Sequence, residues 1–241
     1  MILAHPLDRP VWSALTGERQ AHLALGDRST ALRLAPEYGL FAAAVDDSPE
    51  SLSALAALNT TPAGLGLVET GPVALPPGVS ARQAACAQMT AAALTASSAP
   101  PLTFEALGEA DAPAMLALAT LTEPGPFFAK TPRLGDFIGV KRDGRLVAMA
   151  GERMKPDGFT EVSGVCTHPD WRGRGYAGGL MRVVADRILS RGETPYLHAY
   201  AANAGAIALY QSLGFSVRTP VTFTVLAGPQ GDRHGGTHGH G

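Results

Sequence analysis

Six consecutive residues, Arg172-Gly173-Arg174-Gly175-Tyr176-Ala177, combine two cations with two glycines. Glycine adopts the positive-φ conformations that bring a backbone close to a ligand. From Ala177 to Leu189 the apolar residues Leu180, Val183, Val184 and Ile188 fall at helical spacing. The glycines therefore stand at a helix N-terminus, where the first N–H groups have no internal partner and the dipole is positive. Such a terminus binds phosphate, and Arg172 and Arg174 add charge beside it. The stretch before the loop, Phe159 to His168, alternates as a strand does. The chemistry implied is anion binding at a strand–loop–helix junction.

Two common phosphate-binding patterns are excluded. No G-x-x-x-x-G-K-[ST] occurs in the chain. A dinucleotide-binding reading fails as well, because the glycine loop lies late in the chain and follows a hairpin.

The flanking sequence supplies the elements that position this junction. Leu102 to Ala106 is a short strand. A helix from Asp111 to Leu121 has Asp111 as cap and Pro113 in its first turn. Phe137 to Arg142 and Arg145 to Gly151 flank Asp143-Gly144, a hairpin signal. Pro195 to Tyr200 is a strand, Asn203 caps a helix to about Leu213, and Gly214 ends it. Phe215 to Arg218 and Val221 to Leu226 are strands. This order predicts an α/β (α+β) fold: one mixed, mostly antiparallel sheet flanked by helices.

The first part of the chain carries no chemistry motif. Trp12 to Leu25 suggests a helix, Gly39 to Val45 a strand, and Ser48 to Leu58 a helix capped by Ser48 with Pro49 in its first turn. Leu65 to Val68 reads as a strand, and Ala81 to Ala93 as a helix or a strand. A small, Ser/Pro-rich stretch at Thr95 to Pro101 reads as a linker. The expected division is an N-terminal α/β half (1–97), a second domain (98–227) and a disordered tail (228–241), whose His234, His238 and His240 read as solvated.

Composition narrows the function classes. With 46% hydrophobic and 17% charged residues, the chain has material for a substantial core. A net charge of −2 gives no basic field for nucleic acid or anionic membrane. No apolar run nears membrane-spanning length, and Met1 to Pro6 is too short an apolar run for a signal peptide. A cytoplasmic protein is the default expectation. Cys86 and Cys166 are far apart and form no metal-like pair, so no metal is expected.

The motifs in order resemble the GNAT superfamily of acetyl-CoA-dependent N-acyltransferases, over about residues 102–226. Val165-Cys166-Thr167-His168-Pro169 followed by Arg172 to Ala177 matches the family's Q/R-x-x-G-x-G/A loop. Ala202-Asn203, Ala208-Leu209-Tyr210 and Gly214-Phe215 match its later Asn, Leu-Tyr and Gly-Phe pattern. The stretches Pro124 to Phe128 and Ala150 to Met154 resemble a branch in which such a domain follows a degenerate partner half.

The resemblance implies the GNAT fold, with acetyl-CoA as cosubstrate and N-acetyl transfer to a primary amine by direct attack in a ternary complex. It implies that Arg172, Gly173, Arg174, Gly175, Tyr176 and Ala177 hold the pyrophosphate. Val165, Cys166 and Thr167 would border the pantetheine, which pairs like an added strand. Tyr210 would protonate the leaving sulfur, and Glu161 would be the general base. Asn203 has two readings, cofactor contact or helix cap. Glu152 and Arg153 either pair at the surface or face the acceptor. Phe127 and Phe128 either cover the acceptor or belong to the core. His168 reads as a loop residue, and His198 lies near the expected cleft. The implied partner is a small-molecule or peptide amine, with no nucleic acid and no membrane, and the chain acts as a monomer or homodimer. The alternative is a non-catalytic acyl-CoA-binding sensor or scaffold.

Overall fold

The computed structural model describes residues 5–97 and 102–229. The first half contains α1 (Pro10–Thr16), β1 (Ala24–Asp27), β2 (Ala31–Leu34), β3 (Ala42–Ala44), α2 (Pro49–Ala57), β4 (Leu65–Glu69) and β5 (Ala81–Thr90). The second contains β6 (Glu105–Leu107), α3 (Ala112–Thr122), β7 (Phe137–Arg142), β8 (Arg145–Glu152), β9 (Phe159–Thr167), α4 (Tyr176–Ser190), β10 (Thr194–Tyr200), α5 (Ala204–Ser212) and β11 (Ser216–Leu226).

Local chemistry explains many of the boundaries. Asp143 and Gly144 both take positive φ, 50° and 75°, as a two-residue hairpin turn between β7 and β8 requires. The Ser48 side chain accepts from the Ser51 N–H at the start of α2, and the Asn203 side chain accepts from Ala206 at the start of α5. Asp111 does not cap α3 with its side chain; it accepts from the Gly108 N–H and pairs with Lys141 instead.

Strands from both halves build one eight-stranded sheet in the order β4-β11-β5-β10-β9-β8-β7-β6. Only β9 and β10 run parallel; the other neighbouring pairs are antiparallel. A separate three-stranded sheet, β1-β2-β3, belongs to the first half. The mixed, mostly antiparallel sheet flanked by helices is the architecture the element order predicts.

Alternation along β8 assigns the helices to opposite faces. Ala148 and Ala150 pack with Leu180, Met181, Val184 and Ile188 of α4. Met149 packs with Met115 and Leu118 of α3. Further along the sheet, Leu7, Val11, Leu15, Leu34 and Phe41 of the first half cover Val68, Cys86, Tyr196 and Val221. Each large apolar side chain fully buried in these clusters stabilises the fold by about 1.5–3 kcal/mol.

Three expectations change. The helix expected over Trp12 to Leu25 stops at Thr16, where Gly17 leaves the helical conformation for extended backbone at φ −74°, ψ 160°; a short 3-10 turn and β1 follow. The two strands expected over 215–226 form one, β11, with a register shift between Val217 and Thr219. The boundary expected at residue 97 does not divide the sheet. β5 lies between β10 and β11, pairing Tyr196↔Thr90 through Tyr200↔Cys86 on one side and Ser216↔Thr90 through Leu226↔Ala81 on the other. A Ser/Pro-rich linker reports local backbone, whereas strand pairing is long-range, so linker composition does not locate the edge of a sheet. Residues 98–101 of that linker, and the histidine tail beyond Pro229, lie outside the described residues. Among the described residues, no helix is long and apolar enough to cross a membrane.

Candidate active site

β9 and β10 pair over three residue pairs only, Thr194↔Phe159, Pro195↔Thr160 and Tyr196↔Glu161, and then separate. β9 continues to Thr167 with its other edge on β8, and β10 continues to Tyr200 with its other edge on β5. Their facing edges are left open, and a cavity of about 660 Å³ occupies the gap. It runs from the glycine loop past Val165 and Thr167 to Arg153, His198 and Tyr200, and α5 closes it with Asn203, Leu209 and Tyr210.

The glycine loop has the expected geometry. Gly173 and Gly175 take φ of 74° and 77°, and an added Cβ at either would meet nothing within 4 Å. The demand for glycine there is conformational, and the space outside the loop is open. Gly175 is the N-cap of α4, and the Gly179 N–H makes the first bond back to Gly175. The N–H groups of Tyr176, Ala177 and Gly178 precede it without helical partners. Arg174 stacks on the Trp171 ring at 4.4 Å, which orients a charge beside those donors.

On β9, Gly164 takes φ of 63°, and the register with β8 shifts there. Val165 and Thr167 border the cavity, and the Thr167 hydroxyl is buried with no hydrogen-bond partner. Cys166 also borders it, but its side chain packs with Met115, Leu118 and Met149. Burial pushes its thiol up to about 11, so it is no nucleophile at neutral pH. The open donors, the unpaired strand edge and the orphaned Thr167 hydroxyl are a donor set that fits the phosphates and amides of CoA.

Tyr210 lines the cavity, and its hydroxyl makes no hydrogen bond among the described residues. Burial raises its pKa, so it stays a protonated donor. Asn203 serves as a helix cap and also borders the cavity.

Glu161 is placed differently from the base the resemblance implied. It is the last residue of β9 paired to β10 and is 2% exposed. Its carboxylate takes both Nε and Nη2 of Arg153 at 2.9 Å and contacts His198 Nδ1 at 3.0 Å. Burial pushes its pKa up, but the Arg153 charge and the hydrogen bonds from His198 and Arg153 outweigh this and hold it well below the carboxylate range. Glu161 is not among the cavity-lining residues; Arg153 and His198 are.

The state of His198 follows from its neighbours. Gln88 is fully buried, its Oε1 accepts from Arg218, and its Nε2 donates to the Leu7 carbonyl. Arginine only donates and a carbonyl only accepts, so the amide orientation is fixed. Gln88 Nε2 then offers its second hydrogen to His198 Nε2 at 3.1 Å. That leaves the imidazole hydrogen on Nδ1, directed at Glu161.

The other open readings resolve as follows. Arg153 does not pair with Glu152 at the surface. Glu152 is buried and pairs with Lys155 and Arg191. Phe127 packs edge-on against Phe137, with centroids 5.8 Å apart, and neither Phe127 nor Phe128 lines the cavity. Thr122 to Pro126 take that place. His168 accepts from the Asp170 N–H in the turn before the loop. Sequence reasoning named none of the first half's lining residues. Phe41, Val68 and Cys86 line the cavity, with Val221 and Phe223 beside them.

Comparison with known proteins agrees with this fold. The FR47-like protein family matches residues 137–224, from β7 into β11. A GNAT-family acetyltransferase from Novosphingobium aromaticivorans is 48% identical, with a TM-score of 0.82 over 94% of this chain and 100% of its own. A GCN5-related N-acetyltransferase from Kribbella flavida shares the fold at 17% identity, with a TM-score of 0.63 over 92% of this chain and 96% of its own. The ribosomal protein bS18-alanine N-acetyltransferase of Escherichia coli is 34% identical over 79 residues, 32% of this chain and 53% of that protein. The chain thus spans about half the length of the curated relatives it matches. The Novosphingobium likeness runs through both halves, and on that ground the chain belongs to the GNAT family of acetyltransferases.

Proposed function

We propose that the protein transfers the acetyl group of acetyl-CoA to a primary amine, by direct attack within a ternary complex. The observation that carries this reading is the separation of β9 from β10 beyond Glu161, which joins the glycine loop and Tyr210 in one cavity. The N–H groups of Tyr176, Ala177 and Gly178, with Arg172 and Arg174, hold the pyrophosphate. Backbone groups of Val165 and Thr167 pair with the pantetheine amides, and Cys166 keeps that strand packed. Asn203 borders the same path. When bound, acetyl-CoA supplies the thioester carbonyl that the neutral amine attacks. Tyr210 keeps the proton that the departing sulfur needs. Glu161 fixes Arg153 and His198, and the proton that the attacking nitrogen loses as the amide forms passes to solvent water. A binding-only protein has no use for a protonated, unpartnered hydroxyl in this gap, and Tyr210 therefore favours turnover.

Two substitutions test the reading. Gly175→Glu forces a side chain into a positive-φ position and puts a carboxylate at an anion site. CoA affinity measured by calorimetry is expected to drop by about 10- to 100-fold, the loss of one charged hydrogen bond. Unchanged affinity in a folded variant would reject the phosphate loop. Tyr210→Phe keeps the ring and removes the proton. Thiol release with a reactive amine is expected to slow by ~10²-fold while CoA affinity holds. Wild-type turnover would reduce Tyr210 to a packing residue.

A further inference from the structure

We propose that the acceptor is a free α-amino acid with an apolar side chain, its carboxylate bound by Arg153. This rests on the reading that the cavity houses the amine acceptor.

The guanidinium of Arg153 has five N–H groups. Nε and Nη2 each spend one on Glu161, and Nη1 makes a long 3.4 Å contact to the Pro126 carbonyl. The hydrogen left on Nη2 lies on the Nη1–Nη2 edge, away from Glu161, and Nη1 keeps at least one more. The side chain is only 11% exposed, and Phe41 covers its face at 4.5 Å. Donors buried this far from bulk water cost stability unless an acceptor oxygen arrives. Arg153 borders the cavity, so that oxygen comes from whatever fills it. A planar guanidinium edge matches a carboxylate in both shape and charge.

The rest of the wall sets the body of the molecule. Phe41, Val68, Val221 and Phe223 line the cavity, with the two phenylalanine rings 6.3 Å apart. Because Glu161 already balances the charge of Arg153, a carboxylate alone is held weakly, and the apolar contact is needed as well. Arg153 also sits beside Glu161, where β9 and β10 part. A carboxylate bound there keeps an amine one carbon away at the head of the gap. Decarboxylated amines lack the oxygen, and a peptide N-terminus offers only a neutral carbonyl.

The test is a substrate series on the wild-type chain with acetyl-CoA, reading thiol release. L-phenylalanine and L-leucine are compared with 2-phenylethylamine, 3-methylbutylamine and L-phenylalanine amide. Removing or neutralising the carboxylate is expected to lower kcat/KM by about 10- to 100-fold, as loss of a charged hydrogen bond does. Arg153→Lys keeps the charge and removes the fork, and it is expected to narrow that gap mainly through a higher KM for the amino acid. If this variant does not fold, the wild-type series decides alone. Calorimetry of phenylalanine against CoA-saturated protein gives a readout without turnover. Equal efficiency for acids, amines and amide overturns the proposal and leaves acetyl transfer standing. Phenylalanine binding without thiol release from any compound overturns acetyl transfer and leaves the carboxylate site standing. Absence of both binding and turnover overturns the proposal.

Discussion

A chain beginning at Leu102 is expected not to fold to a soluble protein, although it keeps the glycine loop, Tyr210 and Glu161. Removing β5 strips the ladder from β10 over Tyr196–Tyr200 and from β11 over Ser216–Leu226. Met89 of β5, fully buried in the cluster under α4, is lost with it. So is the cover over Tyr196 and Val221 supplied by Leu7, Val11 and Leu15. With β4 gone as well, the fragment would leave β10 with one bare edge and β11 with no paired neighbour, which invites aggregation. Expression with a solubility assay and far-ultraviolet circular dichroism checks this. A soluble monomeric fragment with native strand content and full CoA affinity would mean that the first half is an independent passenger.

The second large effect is expected from Glu161→Gln. The substitution leaves the Arg153 charge buried without a counter-ion, which costs about 3–5 kcal/mol when one partner of a buried pair is removed. Denaturant unfolding measures it, and a loss under about 1 kcal/mol would show that the pair is effectively solvated. The effect has a definite pH dependence. In the unfolded chain Glu161 ionises near the ordinary value of about 4.3, while in the folded protein its pKa lies well below that. Its stabilisation is therefore complete above the unfolded value and is lost as pH falls below it. The gap between wild type and variant should shrink as the medium is acidified below about pH 4. Among folded molecules, the pH-rate profile should keep its shape. Selective collapse of the low-pH limb in the variant would return the base role to Glu161.

Legibility followed the range of the interactions. The glycine loop, the Asp143-Gly144 hairpin and the Ser48 and Asn203 caps are decided within a few residues, and each stood out in the sequence. The glycines and Tyr210 were visible because they match a family pattern in order. Arg153 and His198 could be named only with their roles open, because their significance arises from contacts with Glu161, on a different segment. Periodicity left Ala81 to Ala93 undecided between helix and strand. Its burial pattern, with Cys86, Gln88 and Met89 buried, reflects neighbours on both sides that lie far along the chain. Ala-rich residues such as Ala84 and Ala85 carry little strand propensity of their own, so tertiary pairing made the choice.

The placement of β5 also has a consequence in time. It is synthesised before β10 and β11, the strands it must join. During synthesis it waits with both edges bare until nearly the whole chain has emerged. The first half therefore cannot complete its fold while it is being translated, and closure of the sheet is a late, long-loop event. Chains with such high contact order fold slowly, and their intermediates expose apolar strand surface. Refolding yield should accordingly fall as protein concentration rises, even under conditions where the finished native state is stable.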